Sequence, residues 1–376
     1  MHIVESMLER IHEVDASSVS ISDFAASPTG HFFITVEYAK DGSGRCDLKL
    51  TKTGLHEEVF EVPIAVDISS LCNFDEAKSC IQFVAVTRPV KGKIEHEHFI
   101  VLSTHDGIHA VPCTGLFTLA DFGEILKPVK WRHLGLHDRI NSFWAFNVPG
   151  SYLHIVYCTR LGSIVKLSLN VDTCTFTKIS EIRNQVGDSL NTCTPCLPTA
   201  RETEIIEVPE LVFSCFDNKV YILEGNKLEK FTITDLLDDE KTLISAQGAI
   251  AKRYSTRSLR FYVANVTNSG CHLFRRRTGS DWDLVHIFER DFKQTEKCSV
   301  IDCQLVWNGI SQLRIISGSE NGKIYIWKYD TKREMITDSE TLKVASSNDY
   351  IHDLKVLNDH IYFLINQECI GKVFLH

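Results

Sequence analysis

Lys252, Arg253, Arg257, Arg260, Arg275, Arg276 and Arg277 gather seven cations into one part of the chain, with Tyr254, Tyr262 and Trp282 interspersed. Guanidinium forks grip phosphate and carboxylate oxygens, and aromatic faces stack on bases or cations, so this mixture suits a polyanion or an acidic protein surface. Successive side chains of an extended strand alternate, which puts Arg275 and Arg277 on one face and Arg276 on the other. Burying such charges unpaired is costly. At least part of the run is therefore expected at a rim or turn, where Gly279 bends the chain into "DLVHIF". The competing reading is a solvated rim, partly neutralised by Asp281, Asp283 and the "DLLDDE" stretch from Asp235 to Glu240.

Other residues with chemical potential form no complete constellation. His96 and His98 in "HEH" would share one face of a strand, as two metal ligands do, but no third ligand follows from the sequence and a solvated edge accounts for them. Cys193 and Cys196 in "CTPC" have zinc-ligand spacing, yet a structural zinc needs two more ligands and there is no second CxxC. Neither a GxSxG nor a GxxxxGK[ST] stretch occurs, and "DFG" at Asp121 to Gly123 stands without partner motifs. The expectation is a non-catalytic protein with no cofactor and no metal.

The elements that carry these residues repeat. "NGKIYIW" from Asn321 aligns with "DNKVYIL" from Asp217, "IGKVFLH" from Ile370 and "LGSIVKL" from Leu161, and more weakly with "DGIHAVP", "SGCHLFR" and "SGRCDLK". Each reads as a tight turn followed by an alternating strand. Taking Gly44, Gly107, Gly162, Asn218, Gly270, Gly322 and Gly371 as equivalent turn positions gives intervals of 63, 55, 56, 52, 52 and 49 residues. Upstream of each turn lies a run rich in β-branched and aromatic residues: "FFITVEY", "FIVLST", "LHIVYC", "ELVFSC", "RFYVAN", "LRIISGS" and "IYFLIN". A four-stranded unit of this size cannot bury both faces alone, so successive units must stack face to face. That pattern predicts an all-β, seven-bladed β-propeller.

"SGSENGKIYIWKYD" resembles the end of a WD40 repeat through Ser317, Gly318, Ser319, Gly322 and Trp327, and "SPTG" at Ser27 to Gly30 is similar to the family's first hairpin. Nearly the whole chain is covered by the resemblance, with degenerate motifs: Asn321 and Lys328 stand where the family usually has aspartate, and no Gly-His pair precedes the blade. The resemblance implies a WD40-like propeller whose blades rely on packing. "FRRRTG" also resembles the FRRG motif of the PROPPIN propellers, but an extra arginine and a position at a turn argue against carrying over that motif's lipid role.

The expected single domain, 1–376, divides into blades at about 15–62, 63–126, 138–183, 187–234, 242–290, 297–345 and 348–376, the last completed by residues 8–14 as its outer strand. The alternative for the N-terminus is an amphipathic helix, because Ile3, Met7, Leu8, Ile11 and Val14 fall at helical spacing. Two long connections stand out: Thr87 to His98, and Thr114 to His137 with Phe117, Phe122 and Trp131 as candidate partner contacts.

The net charge of -9 argues against a surface that is basic overall and leaves only a local patch for nucleic acid. Thirteen scattered cysteines, an odd number mostly inside apolar runs, suit free thiols in a reducing compartment. No apolar run is long enough to span a membrane, and the N-terminus has no signal-like apolar core. The expectation is an intracellular, cytoplasmic or nuclear scaffold or adaptor subunit that binds other proteins through loops and rim, with no sign of homo-oligomerisation. The alternative is an RNA- or phosphoinositide-binding module that uses the fifth-blade cations.

Overall fold

The computed structural model describes residues 2–4, 9–26, 32–52, 64–67, 80–90, 93–104, 107–112, 129–132, 138–148, 150–183, 185–186, 188–198, 210–215, 219–232, 243–251, 259–266, 270–277, 282–289, 303–308, 311–319, 321–357 and 359–375. Every regular element among them is a β-strand. The chain forms two compact units, residues 12–190 and residues 1–11 with 191–376. It opens with β1 (His2–Val4) and β2 (Glu9–Glu13).

The unit at residues 12–190 holds three antiparallel sheets. The first comprises β3 (Val19–Ala26), β4 (Phe32–Ala39), β5 (Cys46–Lys52) and β6 (Ile64–Asp67). In the second, β7 (Cys80–Val90), β8 (Lys93–Thr104), β9 (Gly107–Pro112) and β10 (Val129–Arg132) follow in order. The third is built from β11 (Ile140–Val148), β12 (Tyr152–Thr159), β13 (Ile164–Asn170) and β14 (Thr175–Ile182). Phe99 and Val101 of the second sheet pack with Leu153, Ile155, Leu167 and Leu169 of the third in one core. Each fully buried Leu, Ile or Phe contributes ~1.5–3 kcal/mol, so side-chain interlock between the described sheets is a large part of what holds them.

Polar side chains on first strands reach the neighbouring sheet. Asp23, 6% exposed, accepts hydrogen bonds from Phe24 N and Ile81 N at 2.7 Å each. Gln82 donates Nε2 to Ala145 O and accepts at Oε1 from Ala145 N, both at 2.9 Å. Asn141 Nδ2 donates to Leu190 O at 2.6 Å. These links satisfy backbone groups that the sheet ladders leave over.

The unit of residues 1–11 and 191–376 contains β15 (Leu190–Pro198, its first residue at the unit boundary), β16 (Leu211–Cys215), β17 (Lys219–Glu224) and β18 (Lys227–Thr232), then β19 (Leu243–Ala251), β20 (Leu259–Val266), β21 (Gly270–Arg277) and β22 (Trp282–Glu289). These eight are one sheet, because β15 and β19 pair in parallel over Cys196–Pro198 and Gly248–Ile250. The next sheet is β23 (Cys303–Asn308), β24 (Gln312–Ser317), β25 (Lys323–Asp330) and β26 (Met335–Lys343), with β1 added in parallel beside β26. The last is β27 (Ile351–Leu357), β28 (His360–Ile365) and β29 (Cys369–Phe374), with β2 beside β29. Period-2 alternation buries the β23–β26 sheet on both faces. Leu313, Ile315, Tyr325, Trp327 and Tyr329 enter one core, and Ile316, Ile324, Ile326 and Leu342 enter another.

Several expectations change. The described strands form six hydrogen-bonded sheets rather than seven, since the parallel contact of β15 with β19 fuses two antiparallel units. The boundary expected at 62/63 moves, because Ile64–Asp67 pairs with β5 as the outer strand of the first sheet. At the N-terminus His2–Val4 and Glu9–Glu13 are strands, which sets aside the helical alternative, and the unexpected part is that β1 reaches a different sheet from β2. Gly371 is no turn residue: it sits inside β29 opposite Phe363, and the turn falls earlier at Asn366 (φ 52°) and Gln367 (φ 62°). Apolar alternation running back through Ile370 to Cys369 disguised that turn in the sequence. Gly44, Gly162 and Gly322 do adopt the left-handed backbone expected of them, with φ of 73°, 78° and 69°. The "SPTG" stretch at residues 27–30 lies outside the described residues.

Candidate functional site

The basic cluster is centred on the β20–β21–β22 hairpins. Register sets Leu259 opposite Arg277, Arg260 opposite Arg276, and Arg276 opposite Trp282. Four of the seven cations therefore lie at one end of this ladder, beside the connection that carries Lys252, Arg253 and Arg257. Those three residues lie outside the described residues, and Arg260 and Arg277 are placed by their backbone alone.

Arg275 and Arg276 have carboxylate partners within the chain. Arg275 pairs with Asp283 Oδ2 at 3.3 Å on the adjacent strand and with Glu334 in the β25–β26 turn. Glu334 is held at φ 57°, a left-handed conformation that non-glycine residues adopt seldom. Arg276 pairs with Glu229 on β18, which Lys227 also approaches at 2.6 Å. The hydrogen bond from Arg276, reinforced by the one from Lys227, pulls the Glu229 carboxyl down to about 2. Adjacent arginines thus reach carboxylates on two different strand sets, as strand alternation requires.

Trp131 belongs to strand β10 rather than to a loop, which corrects its expected place in a long insertion. Its indole Nε1 donates to Tyr157 OH at 3.4 Å, and its ring meets Phe176 edge-on at 6.4 Å. An indole needs a partner for its single N–H and apolar cover for its rings, and the neighbouring β11–β14 sheet provides both. Phe117 and Phe122 lie outside the described residues.

His96 lies within β8, Cys193 and Cys196 are buried in β15, and Cys196 Sγ donates to Glu210 Oε1 at 3.5 Å. Three positions apart on a strand, the two thiols point to opposite faces, which separates them as ligands of one ion. Among the described residues no group of three His, Cys, Asp or Glu side chains converges on a metal-sized site, and no helix is long and apolar enough to cross a membrane.

One polar cluster had no sequence signature. Glu37, 2% exposed on β4, accepts at Oε1 from His12 Nε2 at 2.6 Å and from Thr35 Oγ1 at 2.9 Å, while Lys49 Nζ lies 2.6 Å from Oε2. Burial pushes this carboxyl up, but the hydrogen bonds from His12 and Lys49 outweigh it and leave the group below the ordinary carboxylate range. His12 and Glu37 are separated by 25 residues, so no local pattern joins them.

No protein-family model matches the chain, and no curated protein matches it. Solved structures do. The WD40 repeats of RRP9 align with a TM-score of 0.58 and 10% identity over 97% of this chain and all of that one (100%). BBS1N, solved in complex with ARL6DN, aligns at 0.58 and 10% over 99% and 96%. Sqt1 of Saccharomyces cerevisiae aligns at 0.57 and 12% over 99% and 86%. A catalytically inactive virginiamycin B lyase from Staphylococcus aureus, with quinupristin, also aligns at 0.57 and 12% over 99% and 100%, so the architecture alone does not separate binding proteins from enzymes. At these identities the likeness concerns the fold alone, and the chain has an all-β β-propeller fold.

Proposed function

We propose that this chain is a non-catalytic scaffold or adaptor: a seven-bladed propeller that binds other protein subunits of an intracellular complex, in the cytoplasm or nucleus, through its loops and rim. The observation that carries the reading is a framework of strands buried on both faces that leaves exposed turns at the strand ends, such as residues 172–175 and 224–227. Binding surfaces concentrate on such loops when the scaffold is rigid. BBS1N, of similar fold, is solved with a protein partner, which supports protein binding as the mode. Seven blades follow if the eight-stranded sheet is counted as two antiparallel units of four bridged by the short parallel contact, and β2 then completes the last blade. Affinity purification of the full chain from its native cell, with identification of co-eluting proteins, tests the proposal. Recovery of stoichiometric partner subunits is expected, and reproducible isolation of the chain alone would refute it.

A second reading, polyanion binding through Lys252, Arg253, Arg257, Arg260 and Arg277, is supported by the register that sets Arg260 opposite Arg276. That register gathers cationic positions at one end of the ladder. The variant K252E/R253E/R257E tests it while keeping Arg275 and Arg276, which have carboxylate partners. RNA binding that falls steeply with salt and is lost in the variant is expected, and salt-insensitive or unchanged binding contradicts it.

A further inference from the structure

The outer edge of β26 already holds an added strand. β1 runs parallel beside it, with His2 next to Glu340, Ile3 next to Thr341 and Val4 next to Leu342. Strands joined in sequence by short turns pair antiparallel, so this is no hairpin: β1 has crossed to a sheet built from residues 303–343. Its sequence neighbour β2 lies beside β29 in another sheet, and only residues 5–8 join the two. An extended segment seated in parallel on a sheet edge is the arrangement by which strand-adding peptides are recognised.

The edge is longer than its occupant. β26 has nine residues, Met335–Lys343. A bulge at Thr337 interrupts its ladder with β25, since Asp338 pairs with Lys328 and Ile336 with Tyr329, and a bulge blunts an edge. Asp338–Lys343 beyond it keep an unbroken ladder, and β1 accompanies only Glu340–Leu342. Burial follows that limit: Thr341 and Leu342 are 1% and 2% exposed, whereas Thr337 and Asp338 are exposed.

The same stretch specifies what fits it. Alternation puts Asp338, Glu340 and Leu342 on one face, where Leu342 joins the core around Ile324 and Ile326. On the other face Ser339 stands opposite Trp327 and Thr341 opposite Tyr325, whose rings stack with centroids 5.7 Å apart. A fitting strand has β-branched apolar residues beside Ser339, Thr341 and Leu342, a cation beside Glu340 and an anion beside the exposed Lys343.

We propose that the edge of β26 over Asp338–Lys343 is a strand-addition site for an extended segment of this chemistry in a partner protein, and that β1 is the tethered self-ligand the partner displaces. Held through residues 5–8, a three-residue strand occupies the edge because its effective concentration is on the order of millimolar; a six-residue strand gains main-chain hydrogen bonds along the whole stretch. This surface deepens the scaffold reading and rests on it for a biological partner, but peptide binding and co-purification are separate measurements and either can fail alone.

The test uses the full chain and a fluorescein-labelled peptide, Thr-Val-Lys-Ile-Val-Glu, whose lysine falls beside Glu340 in the β1 register. Successive N–H groups of a strand point to opposite sides, so I3P/V4P removes a donor from β1 whichever of the two faces β26. By fluorescence anisotropy I3P/V4P should bind the peptide about tenfold or more tightly than the parent, because the tethered competitor is gone. E340K in that background should weaken binding several-fold, and a peptide with glutamate in place of the lysine should restore it. In the parent, which needs no variant to fold, saturating peptide should slow amide exchange at Asp338–Lys343 and speed it at His2–Val4. No binding to I3P/V4P, equal affinity in the parent, no restoration by the reciprocal peptide, or protection of β26 without release of β1 would each overturn the proposal. A parent dimer that I3P/V4P converts to a monomer would also overturn it, by assigning the edge to β1 of a second copy.

Discussion

Arg275 and Arg276 are neighbours in sequence, yet carboxylates on different strand sets hold them, Glu334 and Asp283 for the first and Glu229 for the second. The pair is therefore part of the packing, and replacing it is a stability experiment first. Glu229 has a folded pKa of about 2, below its ordinary value of 4.5, so its contribution is fully present above about pH 4.5 and is lost as the pH falls toward 2. R276A removes the largest cause of that depression and should flatten the dependence of melting temperature on pH across this window, measured against the parent. Glu37 follows the same sign, its pKa also lying below 4.5. E37Q leaves His12 and Lys49 without their shared anion, so a loss of about 2 kcal/mol in denaturant unfolding is expected at pH 7, shrinking below pH 4.5.

Between sheets, small polar links and turn geometry decide what can be changed. Gln82 satisfies both backbone groups of Ala145, so Q82A leaves a donor and an acceptor unmet and should cost about 2 kcal/mol, read from denaturant midpoints. At Gly322 the φ of 69° and the closeness of Ser346 O, 2.2 Å from where a Cβ would sit, forbid a side chain. G322A should therefore cost at least ~2 kcal/mol, or fail to fold, whereas G42A, with the same backbone hand but open space, should cost only ~1 kcal/mol. Strand β2 covers the edge of β29, while β1 adds only a three-residue parallel strand to β26. Deleting residues 1–14 should expose the β29 edge and produce aggregates on size exclusion, whereas deleting residues 1–6 should leave the chain monodisperse.

For the assembled chain, far-ultraviolet circular dichroism should be dominated by β-structure, since every described element is a strand. A spectrum dominated by helix would contradict the architecture. A framework held by its buried strands also predicts that a charge variant at an exposed turn, such as R160E, leaves the melting temperature within about a degree or two of the parent, as surface substitutions do.

The architecture was legible because a sheet packed on both faces needs alternating apolar residues with a turn every few residues, and that pattern survives when motif residues drift. All seven runs rich in β-branched and aromatic residues lie on interior strands of the described sheets: β4, β8, β12, β16, β20, β24 and β28. Trp131 was misplaced because β10 pairs with β9 across a 16-residue connection, residues 113–128, that hides a four-residue strand from any local pattern. The last turn was misplaced because alternation does not mark where a hairpin begins. Charge was the least legible property. Arginine at 275 reads alike whether it faces water or Glu334, 59 residues away. Local sequence determines which residues alternate and turn, because those are short-range steric properties. Which charges find a counter-charge depends on side chains brought close only by folding, so that was decided by the tertiary structure.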